Sequence, residues 1–93
     1  MNKLNDSEIT RELQSLPGWE RQGNLLSRQF DRHTFRSAVA FVNTLADIAE
    51  RADHHPDIDI RYNKVRVSLS THDAGGITAL DIAMARQVTA AAD

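Results

Sequence analysis

The stretch "DIDIRYNKVRVSLST", Asp57–Thr71, decides the fold. It alternates apolar and polar residues on both sides of a short polar break, the pattern of a β-hairpin with one buried face. A two-residue turn at Asn63-Lys64 sets Tyr62 opposite Val65, Ile60 opposite Val67 and Ile58 opposite Leu69. Those six residues share one apolar face. Asp57, Asp59, Arg61, Arg66, Ser68 and Ser70 share the other. A sheet that is greasy on one side only takes its helices on that side only.

Three helical patterns flank this hairpin. "DSEITRELQSL" has Asp6 or Ser7 as a cap and Ile9, Leu13 and Leu16 at helical spacing, and Pro17-Gly18 ends it. Thr34 opens the longest pattern, in which Phe35, Val39, Val42, Leu45 or Ala46, Ala49 and Ala52 form an expected buried stripe. Pro56 biases His55 away from helical angles, so this helix ends near Asp53 or His54. The last helix starts at Thr78, with Asp81 three residues later in the outline of a capping box, and Leu80, Met84 and Val88 give its apolar stripe. Gly23-Asn24, inside "WERQGNLLSRQF", is a tight turn between two further strands. The expected order is helix, strand, strand, helix, strand, strand, helix. That is an α+β two-layer sandwich, a four-stranded antiparallel sheet with three helices on one face.

Length and composition bound the remaining possibilities. The chain has 93 residues, one domain's worth, and residues 1–93 are taken as a single domain. Eleven basic and thirteen acidic residues give a net charge of −2, which asks for neither nucleic acid nor a membrane surface. No apolar run approaches the ~20 residues that span a bilayer, and "MNKLNDSEIT" lacks a signal-peptide core. There is no cysteine, so disulfides and thiolate metal sites are excluded. A cytoplasmic location is the expectation.

Chemistry concentrates at the joint "ERADHHPDIDIRY", Glu50–Tyr62. Extending the hairpin register sets His55 near His72, so His54, His55 and His72 gather at the hairpin's open end. Glu50 lies one helical turn before His54, close enough to orient its imidazole. His54 also lies at a helix C-terminus, where the macrodipole favours positive charge. An imidazole titrates near ~6.5, where proton transfer at neutral pH is most efficient. Three histidines and a carboxylate also resemble a zinc ligand set. However, adjacent side chains point apart, and no HxH or HExxH spacing is present, so no metal is expected. Tyr62 is expected in the core with its hydroxyl near the rim.

Taken together, Glu50, His54-His55-Pro56, Tyr62, His72 and Asp81 at these spacings resemble the signature of the pterin-4a-carbinolamine dehydratases. "LPGWE", "FVNTLADIAERADHHPDI" and "VRVSLSTHDAGGIT" extend the resemblance over nearly the whole chain. The resemblance implies dehydration of a 4a-hydroxytetrahydropterin to quinonoid dihydropterin, which recycles the pterin of aromatic amino acid hydroxylases. It implies no metal or organic cofactor, with the pterin as substrate. His54 and His72 become the acid–base candidates, His55 positions the pterin with Pro56, and Glu50 supports His54. Thr71, His72, Asp73 and Ala74 form a loop against the pterin. Asp81 lies near the site or is merely an N-terminal helix charge. The family has an aromatic residue beside the pocket at the position of Trp19, so the resemblance lets Trp19 stack on the pterin ring, with packing of the first helix onto the sheet as the equal alternative. The partners implied are a second copy of the chain, as homodimer or homotetramer built partly by joining sheet edges, and a functional link to a hydroxylase. The alternative is a non-catalytic pterin-binding or protein-interaction module on the same scaffold.

Overall fold

The computed structural model describes residues 2–93, so Met1, the first residue of the expected domain, lies outside them. Helix α1 spans Asp6–Leu13, strands β1 and β2 span Glu20–Gln22 and Leu25–Asp31, and helix α2 spans Phe35–Ala52. Strands β3 and β4 follow at Asp57–Arg61 and Lys64–Leu69, then a single 3-10 turn at His72–Ala74 and helix α3 at Ala79–Ala92. The sheet is antiparallel throughout, in the order β1-β2-β4-β3. The expected α+β order is the observed one.

One face of the sheet makes the core. Leu26 pairs with Leu69 and Phe30 with Val65, and all four are buried with Val67. Onto them pack Ile9, Leu16 and Trp19, then Phe41, Leu45 and Ile48 of α2, and Met84, Ala85 and Val88 of α3. The Phe30 ring links two aromatic neighbours, Trp19 edge-on at 6.0 Å and Phe41 tilted at 5.2 Å. Arg28 interrupts the apolar face but lays its guanidinium over the Phe30 ring at 4.3 Å, apolar stem inward. The opposite face is polar, with Gln29, Asp31, Asp59, Arg61, Lys64 and Arg66 exposed.

The hairpin differs from its sequence reading by one step. Ile58 pairs with Val67 and Ile60 with Val65, so the turn is Tyr62-Asn63 rather than Asn63-Lys64. Each apolar residue keeps its face, because the partner shifts by two positions and the strand period is two. Only Tyr62 changes place. It leaves the strand for the turn, takes a left-handed φ of 52° and is 70% exposed, not core. Asn63 fixes this turn: its side-chain amide donates to the Arg32 carbonyl at 2.8 Å, and the Arg32 N–H donates back to the Asn63 carbonyl at 2.8 Å. A two-way clamp of this kind outweighs the turn's local preference.

The helices show three smaller shifts. Asn5, not Asp6 or Ser7, caps α1, in a capping box with Glu8. The buried side of α2 is Ala38, Phe41, Leu45, Ile48 and Ala49, which leaves Phe35 and Val39 exposed. Ala46 and Ala52 are exposed as well and Val42 is half-buried, so only Leu45 and Ala49 of the expected stripe are fully buried: the buried face is rotated toward Phe41 and Ile48, the larger side chains. In α3, Met84 and Val88 are buried but Leu80 is largely exposed.

Candidate active site

Helix α2 ends in a way that directs the first histidine inward. Asp53 adopts a left-handed conformation, φ 49° and ψ 43°. Its N–H reaches the Glu50 carbonyl, and the His54 N–H reaches back to the Ala49 carbonyl at 3.1 Å. This is a Schellman ending, and it breaks the helical relation between Glu50 and the residue four later. His54 therefore turns toward the N-terminus of α3, where its Nε2 lies 2.7 Å from Asp81 Oδ1. Glu50 instead meets His55, with Oε2 2.5 Å from Nε2. The expected Glu50–His54 contact is thus replaced by two separate carboxylate–histidine pairs. The outer pair is open to solvent; in the inner pair the Asp81 side chain is 0% exposed and that of His54 12%.

Asp81 is the centre of the arrangement. Its Oδ2 accepts from the Thr78 N–H at 2.9 Å and from the Thr71 hydroxyl at 2.8 Å. Thr78 caps α3 through its hydroxyl and, with Asp81, completes a capping box. The same carboxylate therefore ends a helix and holds a histidine. The sequence carries the capping signal plainly; the bond to His54 crosses 27 positions and no local pattern marks it. Thr78 itself is wholly buried, and the sequence marks it only as a cap.

His72 arrives on the following loop. It opens the 3-10 turn His72–Ala74, which Gly75 ends at φ 75°. Thr71 and Gly76 close the loop through paired backbone hydrogen bonds of 2.9 and 3.3 Å. His72 and Asp73 are exposed, and Ala74 is half-buried. Because Thr71 bonds to Asp81, the residue before His72 and the ring of His54 share one carboxylate. The proposed pairing of His55 with His72 does not occur: β4 stops at Leu69, and the observed register would set His55 against Ser70. Pro56, half-buried, leads directly into β3.

The N-terminal segment straps this loop from outside. The Leu4 N–H donates to the Ile77 carbonyl at 2.9 Å, and a side chain at Gly76 would meet the Lys3 stem at 2.8 Å. Trp19 stands apart. It is 5% exposed, and its indole N–H donates to Thr89 at 2.8 Å, more than two turns along α3 from Asp81. The packing reading of Trp19 fits this burial and this bond. Among the described residues, no three His, Cys, Asp or Glu side chains are grouped to hold a metal ion.

Comparison with known proteins gives a consistent set of relatives. Residues 2–91 match the family model described as pterin 4 alpha carbinolamine dehydratase. A relative from Thermomicrobium roseum that carries the pterin-4-alpha-carbinolamine dehydratase name is 56% identical over 88 residues, covering 95% of each chain. One from Sulfurisphaera tokodaii with the same name is 48% identical over 88 residues, again 95% of each chain. A crystal structure of a transcriptional coactivator/pterin dehydratase from Brucella melitensis superposes with a TM-score of 0.95 at 39% identity, over 99% of this chain and 100% of that one. A pterin dehydratase-like protein described as a RuBisCO assembly factor in the alpha-carboxysome superposes with a TM-score of 0.69 at 27% identity, over 81% of this chain and 89% of that one.

Proposed function

The chain belongs to the pterin-4a-carbinolamine dehydratases, a family of hydro-lyases, and from that premise we propose that it dehydrates a 4a-hydroxytetrahydropterin by histidine acid–base catalysis, without a metal. The reaction breaks the C4a–O bond, and the hydroxyl leaves as water once it receives a proton. The N5 proton leaves as the C4a–N5 double bond forms. Two imidazoles placed about one ring can serve the two transfers, one giving and one taking. His54 and His72 take those roles. His55, braced by Glu50, holds the pterin with Pro56 and the loop Thr71–Ala74. The product re-enters the cycle of an aromatic amino acid hydroxylase after reduction.

The observation that carries this reading is the buried Asp81 bonded to His54 beside an otherwise open pair of histidines. A carboxylate placed so deep, with both oxygens hydrogen-bonded, orients an imidazole far more firmly than a surface helix needs. The test is the dehydration rate of freshly generated 4a-hydroxytetrahydropterin in excess chelator, with the native protein and a His54→Ala/His72→Ala double variant. Acceleration by the native protein alone supports the reading. A well-folded native protein that gives no acceleration, or one that chelator silences, sinks it.

A second reading concerns partners. Phe35, Val39, Ile60 and Tyr62 are large apolar side chains left exposed on α2, β3 and the adjoining turn. β3 is also an edge strand with one side unpaired. We infer that this flank joins copies of the chain into a homodimer or homotetramer. An interaction role with other proteins, of the kind named for the Brucella melitensis coactivator and the carboxysome assembly factor, would leave the histidines idle.

A further inference from the structure

The hydroxyls behind Asp81 form a chain whose direction is fixed at both ends. At one end, the Leu80 N–H donates to Thr78 Oγ1 at 3.2 Å. At the other, Thr71 Oγ1 donates to Asp81 Oδ2 at 2.8 Å. Between them, Thr78 Oγ1 and Thr71 Oγ1 lie 2.8 Å apart. A hydroxyl has one hydrogen, and Thr71 has already given its own to the carboxylate. Thr78 must therefore donate to Thr71. The run Leu80 N–H to Thr78 to Thr71 to Asp81 then points one way. On the far side of the carboxylate, Oδ1 faces His54 Nε2. A carboxylate only accepts, so Nε2 carries the hydrogen. Nδ1 of His54 has no partner among the described residues, and no side-chain nitrogen or oxygen there is both buried and unpaired. Nδ1 is therefore the nitrogen that meets solvent.

We propose that Thr71 and Thr78 are positioning residues: their hydroxyl relay orients Asp81 so that His54 is held as the Nε2–H tautomer, with Nδ1 presented to the substrate. The proposal deepens the dehydratase reading and rests on it for its catalytic consequence. Thr71 thereby changes role. The loop resemblance placed it against the pterin, but its hydroxyl is spent on Asp81 and Thr78 and faces inward. Outer partners of metal-bound histidines change function by about ten- to a hundredfold when lost, and the lower end of that range is the effect expected for this carboxylate-held one.

The decisive comparison is Thr71→Val, which keeps the side-chain shape and removes the hydroxyl, against Thr71→Ser, which keeps the hydroxyl. Thermal unfolding of each shows that it is folded. ¹⁵N NMR of the His54 ring reads the tautomer without reference to activity. The expected result is a well-defined Nε2–H tautomer in the native protein and in Thr71→Ser, and a mixed population in Thr71→Val. In the same series kcat falls about tenfold in Thr71→Val with KM little changed, and returns in Thr71→Ser. An unchanged His54 spectrum in folded Thr71→Val overturns the proposal. So does a rise in KM with kcat intact, which would make Thr71 a direct substrate contact. If the native protein dehydrates nothing, the dehydratase reading fails on its own, while the ring spectra still decide whether the relay sets the tautomer.

Discussion

Asp81 does two jobs at the residue scale, and they separate by mutation. Its Oδ2 caps α3 through the Thr78 N–H, and its Oδ1 holds His54. Asp81→Asn keeps the shape but puts a donor among donors. It should destabilise the fold by about 1–3 kcal/mol, the cost of unsatisfying a buried polar group. It should also lower turnover, and the fall should exceed what the unfolded fraction explains; denaturant titration beside initial rates checks both. His54→Ala and His72→Ala should each lower turnover by about 10²-fold, the usual worth of one positioned proton transfer. The stability of His72→Ala should stay near that of the native protein, because His72 is exposed on its loop. Equal rates in native protein and both variants would contradict the assigned roles.

At the element scale, the joints matter more than the rods. The left-handed Asp53 turns the chain from α2 so that His54 faces α3 rather than Glu50. Glycine takes that conformation without the penalty a Cβ brings. A left-handed residue with a Cβ costs about 1–2 kcal/mol and the unfolded glycine's entropy takes back about 0.5–1 kcal/mol, so Asp53→Gly should raise stability by up to about 1 kcal/mol and leave His54 bonded to Asp81. A loss of stability would show that the Asp53 side chain itself holds the turn. Trp19 gives the complementary case. Trp19→Phe should lower the unfolding midpoint, since Thr89 loses its indole donor, while KM for the pterin stays unchanged. A raised KM would restore the stacking reading. These joints also explain what sequence alone reveals. Alternation in Asp57–Thr71 gives the faces of the sheet, and Thr78 with Asp81 gives the start of α3. The exact turn at Tyr62-Asn63 escapes, because the clamp from Arg32 is set by a distant loop. The Asp81–His54 bond escapes for the same reason. Position i to i+4 arithmetic nominated Glu50 for His54, and a single left-handed residue redirected it.

At the scale of the whole molecule, three helices cover one face of the sheet, and among the described residues no further strand pairs with its edge at β3. Ile60, within the edge strand β3, and Phe35, the first residue of α2, are large apolar side chains left exposed, the latter at 52%. If copies join there, a Phe35→Lys/Ile60→Lys variant should lose subunits, seen as a fall in mass by analytical ultracentrifugation. Secondary structure by circular dichroism should persist, because neither side chain belongs to the core. An unchanged mass would move the interface elsewhere. The site itself is assembled from the N-terminal strap, the end of α2, the loop after β4 and the start of α3. No single supersecondary unit contains it, so local loosening at any of the four reaches the histidines.

The strand order β1-β2-β4-β3 has a further consequence for how the chain comes to be folded at all. A growing polypeptide exposes β2 early, with only three-residue β1 for company. Its central partner, β4, follows α2 and β3 in the chain, and the strap at Leu4 waits for Ile77. Long-range pairing of this kind defers the entropic cost of loop closure to the end of synthesis. The bond between His54 and Asp81 is then among the last things to form, and the half-made chain spends its youth with the β4-facing edge of β2 unpaired and Leu26 and Phe30 uncovered. During that interval the greatest hazard is association through β2 rather than misplacement of any histidine.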